Sequence, residues 1–305
     1  MNNQIDILLA TYNGAQYISA QIRSLQNQTF QDWKLIVHDD GSTDGTLHIL
    51  RNFMKDDARI VIVEDEKRFH CAEKNFMYLL TKSTAPFCIC CDQDDIWLEN
   101  KLQLMLEAIQ KYDNSIPQAV YSNSYVYEAS REYIAGHATL SQPKVLKDVL
   151  FMNAGVQGCA ILFNDKLRDI CKDAPEIVAM HDHVITLAAT VFGELHYLPL
   201  RLMLYRRHEA TVTGYTAKNL KERVMHFFEG KKSVLDRRHY EAIESFASHY
   251  ESLMTKEYRT IFKDFFRFKH EGRLRRCIHI LSGGYRIYGS WRVLLLKMML
   301  RPLIN

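Results

Sequence analysis

Over roughly its first 125 residues the chain repeats one pattern: an apolar run, a polar turn, then a helical periodicity. Ile5–Ala10 is apolar except for Asp6, as a strand buried on both faces must be. Tyr17, Ile18, Ile22 and Leu25 follow at helical spacing. Leu35–His38 and the helical run from Thr46 to Met54 repeat the unit, and Ile60–Glu64 reads as a third strand. Phe76–Leu80 lies on a helix, Phe87–Cys91 on a fourth strand, Leu102 to Ile109 on a helix and Ala119–Tyr127 on a strand. Such alternation predicts an α/β domain with a mostly parallel sheet and helices on both faces. After Glu128 it weakens, with strands expected at Gly158–Phe163 and Leu198–Tyr205 and a helix at Asp182–Phe192. Beyond about Thr216 the chain reads as helical, so the expected partition is an α/β domain over 1–214 and an α-helical region over 215–305.

Three of the turns stand out, and the second and third are acidic. They are Ala10-Thr11-Tyr12-Asn13-Gly14, Asp39-Asp40-Gly41-Ser42-Thr43-Asp44-Gly45-Thr46 and Asp92-Gln93-Asp94-Asp95. In an open α/β sheet such turns sit at the carboxyl ends of the strands, where ligands bind, and would converge on one crevice. Carboxylates gathered there need a cation or a hydrogen-bond donor. A divalent metal carrying a diphosphate supplies the first, and the N–H of a pyrimidine base supplies the second. The arrangement therefore points to a nucleotide-sugar enzyme. Asp, Gly, Ser and Thr also suit an ordinary strand-to-helix turn, a sufficient reading of Asp39–Thr46 alone. Three carboxylates within Asp92–Asp95 are harder to accommodate without a shared cation. The acidic spacing does not match an EF-hand loop.

With these motifs in this order, residues 4–214 resemble the family 2 glycosyltransferases of GT-A (Rossmann-like) fold. The subgroup most similar is the bacterial rhamnosyltransferases of surface-polysaccharide assembly. Its further marks are matched by Asp92–Trp97, His181-Asp182, and Tyr205-Arg206-Arg207-His208 with Val212-Thr213-Gly214. The resemblance implies an inverting transferase that uses Mg²⁺ or Mn²⁺. The implied donor is a nucleoside-diphosphate sugar, dTDP-rhamnose ahead of a UDP-sugar, and the acceptor a glycan or lipid-linked glycan. It implies that Asp40 accepts the pyrimidine N3–H beside Asp39, while Ala10, Thr11, Tyr12 and Asn13 hold base and ribose, with Tyr12 stacking. Asp94 would ligate the metal, Asp92 would meet the ribose or the metal, and Arg206, Arg207 and His208 would close over the diphosphate, with His208 near the metal. Asp182 would be the general base, although it could equally cap the helix that follows. His183 stands where the family carries an aromatic residue, Arg207 where it carries Gln, and Phe69-His70-Cys71 interrupts a Gly-rich segment near Arg68 and Lys74.

Composition narrows the alternatives. The seven cysteines lack metal-site spacing, and Cys88, Cys90 and Cys91 read as reduced, strand-borne thiols of a cytosolic protein. The polar Met1-Asn2-Asn3-Gln4 start leads directly into a strand, so no signal peptide is expected. The net charge of +3 is uneven: Arg267 to Arg301 holds nine Lys/Arg against Glu271, which leaves the rest of the chain at −5. Trp291, Val293–Leu296, Met298–Leu300 and Leu303 are too apolar for a free surface helix. A basic, Trp-containing segment suits an anionic membrane face, and equally packing on this chain or on another subunit. Nucleic acid is disfavoured, because the acidic crevice repels phosphate. A nucleotidyltransferase would need a Gly-rich basic loop that Ala10–Gly14 lacks, and a silent scaffold is at odds with intact Asp92, Asp94 and Asp182.

Overall fold

A computed structural model describes residues 3–139, 141–152, 156–207 and 233–304. The chain divides into two compact units, one from Met1–Thr139, Val156–Ala174 and Met180–His208, the other from Leu140–Gly155, Pro175–Ala179 and Glu209–Asn305. The boundary expected at residue 214 lies outside the described residues.

The first unit is built on one mixed sheet. Its strands are β1 (Ile5–Thr11), β2 (Trp33–Asp39), β3 (Ile60–Ile62), β4 (Phe87–Cys91), β5 (Ile96–Trp97), β6 (Gln118–Glu128), β7 (Tyr133–His137), β8 (Ile161–Asn164) and β9 (Glu194–Arg207). They lie in the order β3-β2-β1-β4-β8-β6-β9-β5, with β7 pairing β6 off this path. The four strands from β3 to β4 run parallel, and β8 is antiparallel to both β4 and β6. Helices α1 (Ile18–Gln26), α2 (Thr46–Asp56), α3 (Ala72–Leu80), α4 (Lys101–Ile109), α6 (Asp165–Cys171) and α7 (His181–Phe192) belong to this unit, while the short α5 (Leu146–Val149) belongs to the other.

Strand alternation assigns the helices to two layers. Ile5, Ile7 and Leu9 of β1 join one apolar cluster with Ile18, Ile22 and Leu25 of α1, Leu50 of α2, and Leu102, Met105 and Leu106 of α4. The other face of β1 carries Leu8 and Asp6, both buried, and α3 packs there against β1 and β2. Asp6 is the polar break in an otherwise apolar strand. Its Oδ2 accepts the Ser83 hydroxyl at 2.9 Å and the backbone N–H groups of Thr84 and Ala85 at 2.8 and 2.9 Å. Those donors begin the approach to β4, so one carboxylate fixes where the fourth strand enters the sheet. All seven cysteines are free, and Cys88, Cys90 and Cys91 are buried on β4.

The second unit contains α8 (Arg237–His249), α9 (Lys256–Arg267), α10 (Arg273–Gly283) and α11 (Trp291–Leu300). An aromatic cluster forms its core, with Phe151 5.2 Å from Phe265 and 5.5 Å from Phe268, and Phe268 5.2 Å from Tyr285. In the apolar tail singled out above, Leu294, Met298 and Leu303 are buried, whereas Trp291, Leu296, Met299 and Leu300 are exposed. Among the described residues no helix is long and apolar enough to cross a membrane.

The Asp6 contacts set a measurable cost. Asp6→Ala strands two backbone donors and a hydroxyl in a buried site, so about 3 kcal/mol of stability is expected to be lost. A lower urea midpoint at unchanged slope checks this, and a midpoint equal to that of the parent would refute it.

Candidate functional site

Register brings the acidic turns together. Thr11 lies opposite Asp39 in the β1–β2 pairing, and Leu9 lies opposite Cys91 in the β1–β4 pairing. The three strands therefore end within two residues of one another, and the turns that follow them meet side by side.

Side chains then stitch the turns to one another. Gln93 forms a reciprocal pair with the Tyr12 peptide: Tyr12 N–H donates to its Oε1 at 3.0 Å, and its Nε2 donates to Tyr12 O at 2.9 Å. The amide imitates a short stretch of β-ladder and ties the turn after β1 to the turn after β4. Gly14 allows this approach, since a Cβ there would come 2.3 Å from Gln93 Oε1. Asn13, at φ 46°, accepts the Thr43 N–H on its Oδ1 at 2.8 Å and donates its own N–H to the Ser42 hydroxyl. Thr11 Oγ1 donates to Asp39 Oδ2 at 2.9 Å, and Asp39 Oδ1 accepts the N–H groups of Gly41 and Ser42. Asp39 is thereby committed to holding its own turn, whereas Asp40 accepts the Phe69 N–H. Tyr12 is 54% exposed, which leaves its ring able to stack on a ligand.

A second network supports the approach from the β2 side. Buried His38 lies 2.7 Å from Asn75 Oδ1 and 3.2 Å from Asp65 Oδ1. The Tyr78 hydroxyl also donates to Asp65, as does the Lys67 N–H at 3.0 Å. The Tyr78 bond above all holds the Asp65 carboxyl down at about 2. These contacts fix the segment that delivers Phe69 to Asp40.

The turn after β4 carries the charge. Asp92 and Asp94 are half-buried and Asp95 is fully buried. Burial, then the Asp94 charge, pushes the Asp92 carboxyl up to about 6. Burial and the charges of Asp92 and Asp94 raise Asp95 well above the ordinary carboxylate range. Asp95 Oδ1 accepts the Arg206 N–H at 3.2 Å, while Oδ2 is buried with no partner among the described residues. The Arg206 guanidinium donates to Asp94 O at 2.7 Å and lies near the Tyr17 and Tyr127 rings, so it braces this loop from β9. Beneath the loop Lys101, at the start of α4, is sealed from solvent. Its Nζ donates to Cys159 O at 2.6 Å and sits 3.5 Å from the Trp97 ring centroid, and burial pulls its pKa down to about 8. One ligand atom each of Asp92, Asp95 and Cys159 lies within 4.8 Å of the others, and Asp94 is not in that group. Paired carboxylates with an unpartnered buried oxygen fit a hard divalent cation such as Mg²⁺ or Mn²⁺.

Asp182 arrives from α7. The helix begins at His181 with Met180 as its N-cap, so Asp182 sits within the first turn and is not the cap. An acid there is favoured by the helix dipole. His181 is the anchor. It stacks on Phe76 with centroids 4.0 Å apart, both ring nitrogens are buried without partners among the described residues, and burial holds it neutral by lowering its pKa to about 3. Gly158 leaves room for that ring, since a Cβ there would lie 2.2 Å from His181 Nε2.

Arg207 ends β9, half-buried, and His208 lies outside the described residues, as does Val212-Thr213-Gly214. Sequence reasoning did not single out Gln93, Asp95, Lys101, Cys159 or His38 for this site. Asp95 and Gln93 were visible inside the Asp92–Asp95 string, but Lys101 gave no signal beyond a polar residue starting a helix.

Comparison with known proteins bears on the family and the fold. The model of the family described as Glycosyl transferase family 2 matches residues 6–170. The chain is 28% identical over 223 residues to the dTDP-rhamnosyl transferase RfbG of Shigella flexneri, covering 68% of this chain and 73% of that one. It is 30% identical over 162 residues to the UDP-Glc:alpha-D-GlcNAc-diphosphoundecaprenol beta-1,3-glucosyltransferase WfgD of Escherichia coli, covering 53% and 60%. Among solved structures, S. aureus TarS 1-349 in complex with UDP superposes with a TM-score of 0.60 at 14% identity over 92% of this chain and 75% of that one. The mannosyltransferase PcManGT of Pyrobaculum calidifontis, in complex with GDP-Man and Mn²⁺, gives 0.51 at 16% over 96% and 85%. These structures share the GT-A fold seen here.

Two outcomes test the supporting contacts. Gly158→Ala should cost about 1–3 kcal/mol by driving a methyl into a pinned ring. Adding His181→Ala should leave the double variant no less stable than Gly158→Ala alone, whereas additive losses in thermal unfolding would refute the contact. For Asp65, a folded pKa lowered from 3.8 to about 2 gives stability that is present above pH 4 and lost as pH falls toward 2. Asp65→Asn should therefore lose roughly 2 kcal/mol at neutral pH, a deficit that closes between pH 4 and 2. A gap independent of pH would count against the assignment.

Proposed function

The chain belongs to glycosyl transferase family 2, and on that premise we propose that it transfers L-rhamnose from dTDP-rhamnose, with inversion, onto a growing bacterial polysaccharide. The observation that carries this reading is the stitched meeting of the three turns, two of them acidic, which brings Asp40, Asp92 and Asp94 to one end of the sheet. Similarity to a dTDP-rhamnosyl transferase over 68% of the chain supports rhamnose, and a UDP-hexose donor is the alternative.

In this proposal Tyr12 stacks on the pyrimidine, whose N3–H donates to Asp40, with Ala10, Thr11 and Asn13 shaping the pocket and Asp39 holding its wall. Asp92 and Asp94 hold Mg²⁺ or Mn²⁺, with Asp95 behind them. When bound, that ion supplies charge neutralisation for the departing diphosphate. Arg207 faces the diphosphate, and Arg206 acts through its grip on the Asp94 carbonyl. Asp182 takes the proton of the acceptor hydroxyl as that oxygen attacks the anomeric carbon and the carbon–oxygen bond to the diphosphate breaks. Attack opposite the leaving group turns a β-linked donor into an α-linked rhamnoside. The acceptor is a glycan or lipid-linked glycan, which places the work at the inner face of the cell membrane.

Calorimetry with dTDP-rhamnose and UDP-glucose, in Mn²⁺ and in EDTA, tests the donor site. One donor should bind only with metal, and Asp94→Asn should abolish that dependence. Asp182→Asn should bind donor normally and lose about 10²–10⁴ in transfer rate. Full activity in Asp182→Asn would overturn Asp182 as the base, and no metal-dependent binding of either donor would overturn the donor reading and favour another donor or a catalytically silent scaffold.

A further inference from the structure

Among the described residues the most exposed large apolar side chain of the second unit is Leu274, on α10. Leu274, Ile278 and Leu281 are 76%, 53% and 59% exposed. Spaced by four and three residues, they stand on one face of the helix. The opposite face is occupied: Ile280 is buried, and Arg276 Nε donates to Phe268 O at 2.6 Å. Arg273 and Arg275 are exposed and lie about 100° to either side of Leu274 on the helix, so the apolar stripe has a basic border on both sides. From Gly272 to Asn305 there are seven Lys/Arg and no acidic residue. An apolar ridge edged by guanidinium groups matches the interface of an anionic bilayer, where the side chains enter the acyl boundary and the arginines meet headgroup phosphates. Trp291 of α11, 41% exposed beside Arg292, has the same character.

We infer that the outer face of α10, centred on Leu274, Ile278 and Leu281, docks the protein on an anionic membrane surface. The purpose of this contact rests on the reading of the acceptor as lipid-linked; the surface itself stands on the exposed face and its charge. An apolar face alone would suit a second copy of the chain as well. A border that is positive on both sides would repel a second copy of itself, and it favours the membrane.

Vesicle flotation decides between them. The full chain should float with phosphatidylcholine vesicles containing about 30% phosphatidylglycerol. It should float at least tenfold less with pure phosphatidylcholine, and less in 0.5 M salt than in 0.1 M. Leu274→Ser/Ile278→Ser/Leu281→Ser should lose at least tenfold in binding, and Arg273→Glu/Arg275→Glu should lose the preference for anionic lipid. Both variants should keep their thermal midpoint and their calorimetric affinity for donor. Donor binding is independent of the vesicle arm, so failure of this inference and failure of the proposed transfer reaction give different results. Equal flotation of parent and triple-Ser variant, or no flotation of the parent, would overturn the docking face. So would a concentration-dependent dimer in sedimentation that the triple-Ser change dissolves, which would assign the face to a second copy.

Discussion

The repulsion among Asp92, Asp94 and Asp95 at the end of a buried strand is the constraint to which the rest of the first unit answers. Three negative charges so close, half or wholly out of water, would unfold their own loop without compensation. Compensation comes from two residues. The Lys101 ammonium is sealed beneath them, donating to Cys159 O and contacting Met203 Sδ, and Arg206 gives its backbone N–H to the Asp95 carboxylate and its guanidinium to the Asp94 backbone carbonyl. Raised pKa values on Asp92 and Asp95 show that the compensation is incomplete. A loop left partly unsatisfied in this way is suited to receive a cation that arrives with a substrate.

The neighbouring turns share that economy of means. Gln93 uses its side-chain amide as a piece of backbone, Asp39 uses its carboxylate to close its own turn, and Asn13 accepts a left-handed conformation to reach Thr43. The loops at the strand ends are thereby cross-linked before any ligand is present. Preorganisation of this kind reduces what binding must spend on ordering.

Much of this was legible in the chain. Phe87–Cys91 stands as a strand with the bounds its apolar run indicates, and the other expected parallel strands and their helices are present with ends shifted by a few residues. What was illegible depended on distant partners. Asp6 reads as a flaw in a strand until Ser83, Thr84 and Ala85 close on it from nearly eighty residues away. Ile96–Trp97 is too short for any period to register, and Tyr133–His137 is too exposed to alternate. The strand expected from Gly158 opens as a 3₁₀ turn over Gly158–Ala160 and becomes β8 only at Ile161. In the basic tail, hydropathy drew attention to α11, where Leu294 and Met298 turn inward while Leu296, Met299 and Leu300 stay exposed, and it gave no sign of the exposed apolar face on α10. Hydropathy ranks side chains, and packing decides which of them meet water.

The buried thiols have a practical consequence. Cys88, Cys90, Cys91, Cys159 and Cys171 all lie in the first unit, and burial raises the pKa of each. A thiol reacts as its thiolate, so alkylating reagents will find these five only when the chain opens. Cys71 and Cys277, half-buried, are the ones a reagent meets first. The molecule thus carries its own clock: the order and rate at which its cysteines are labelled record how often the sheet beneath the acidic loop comes apart.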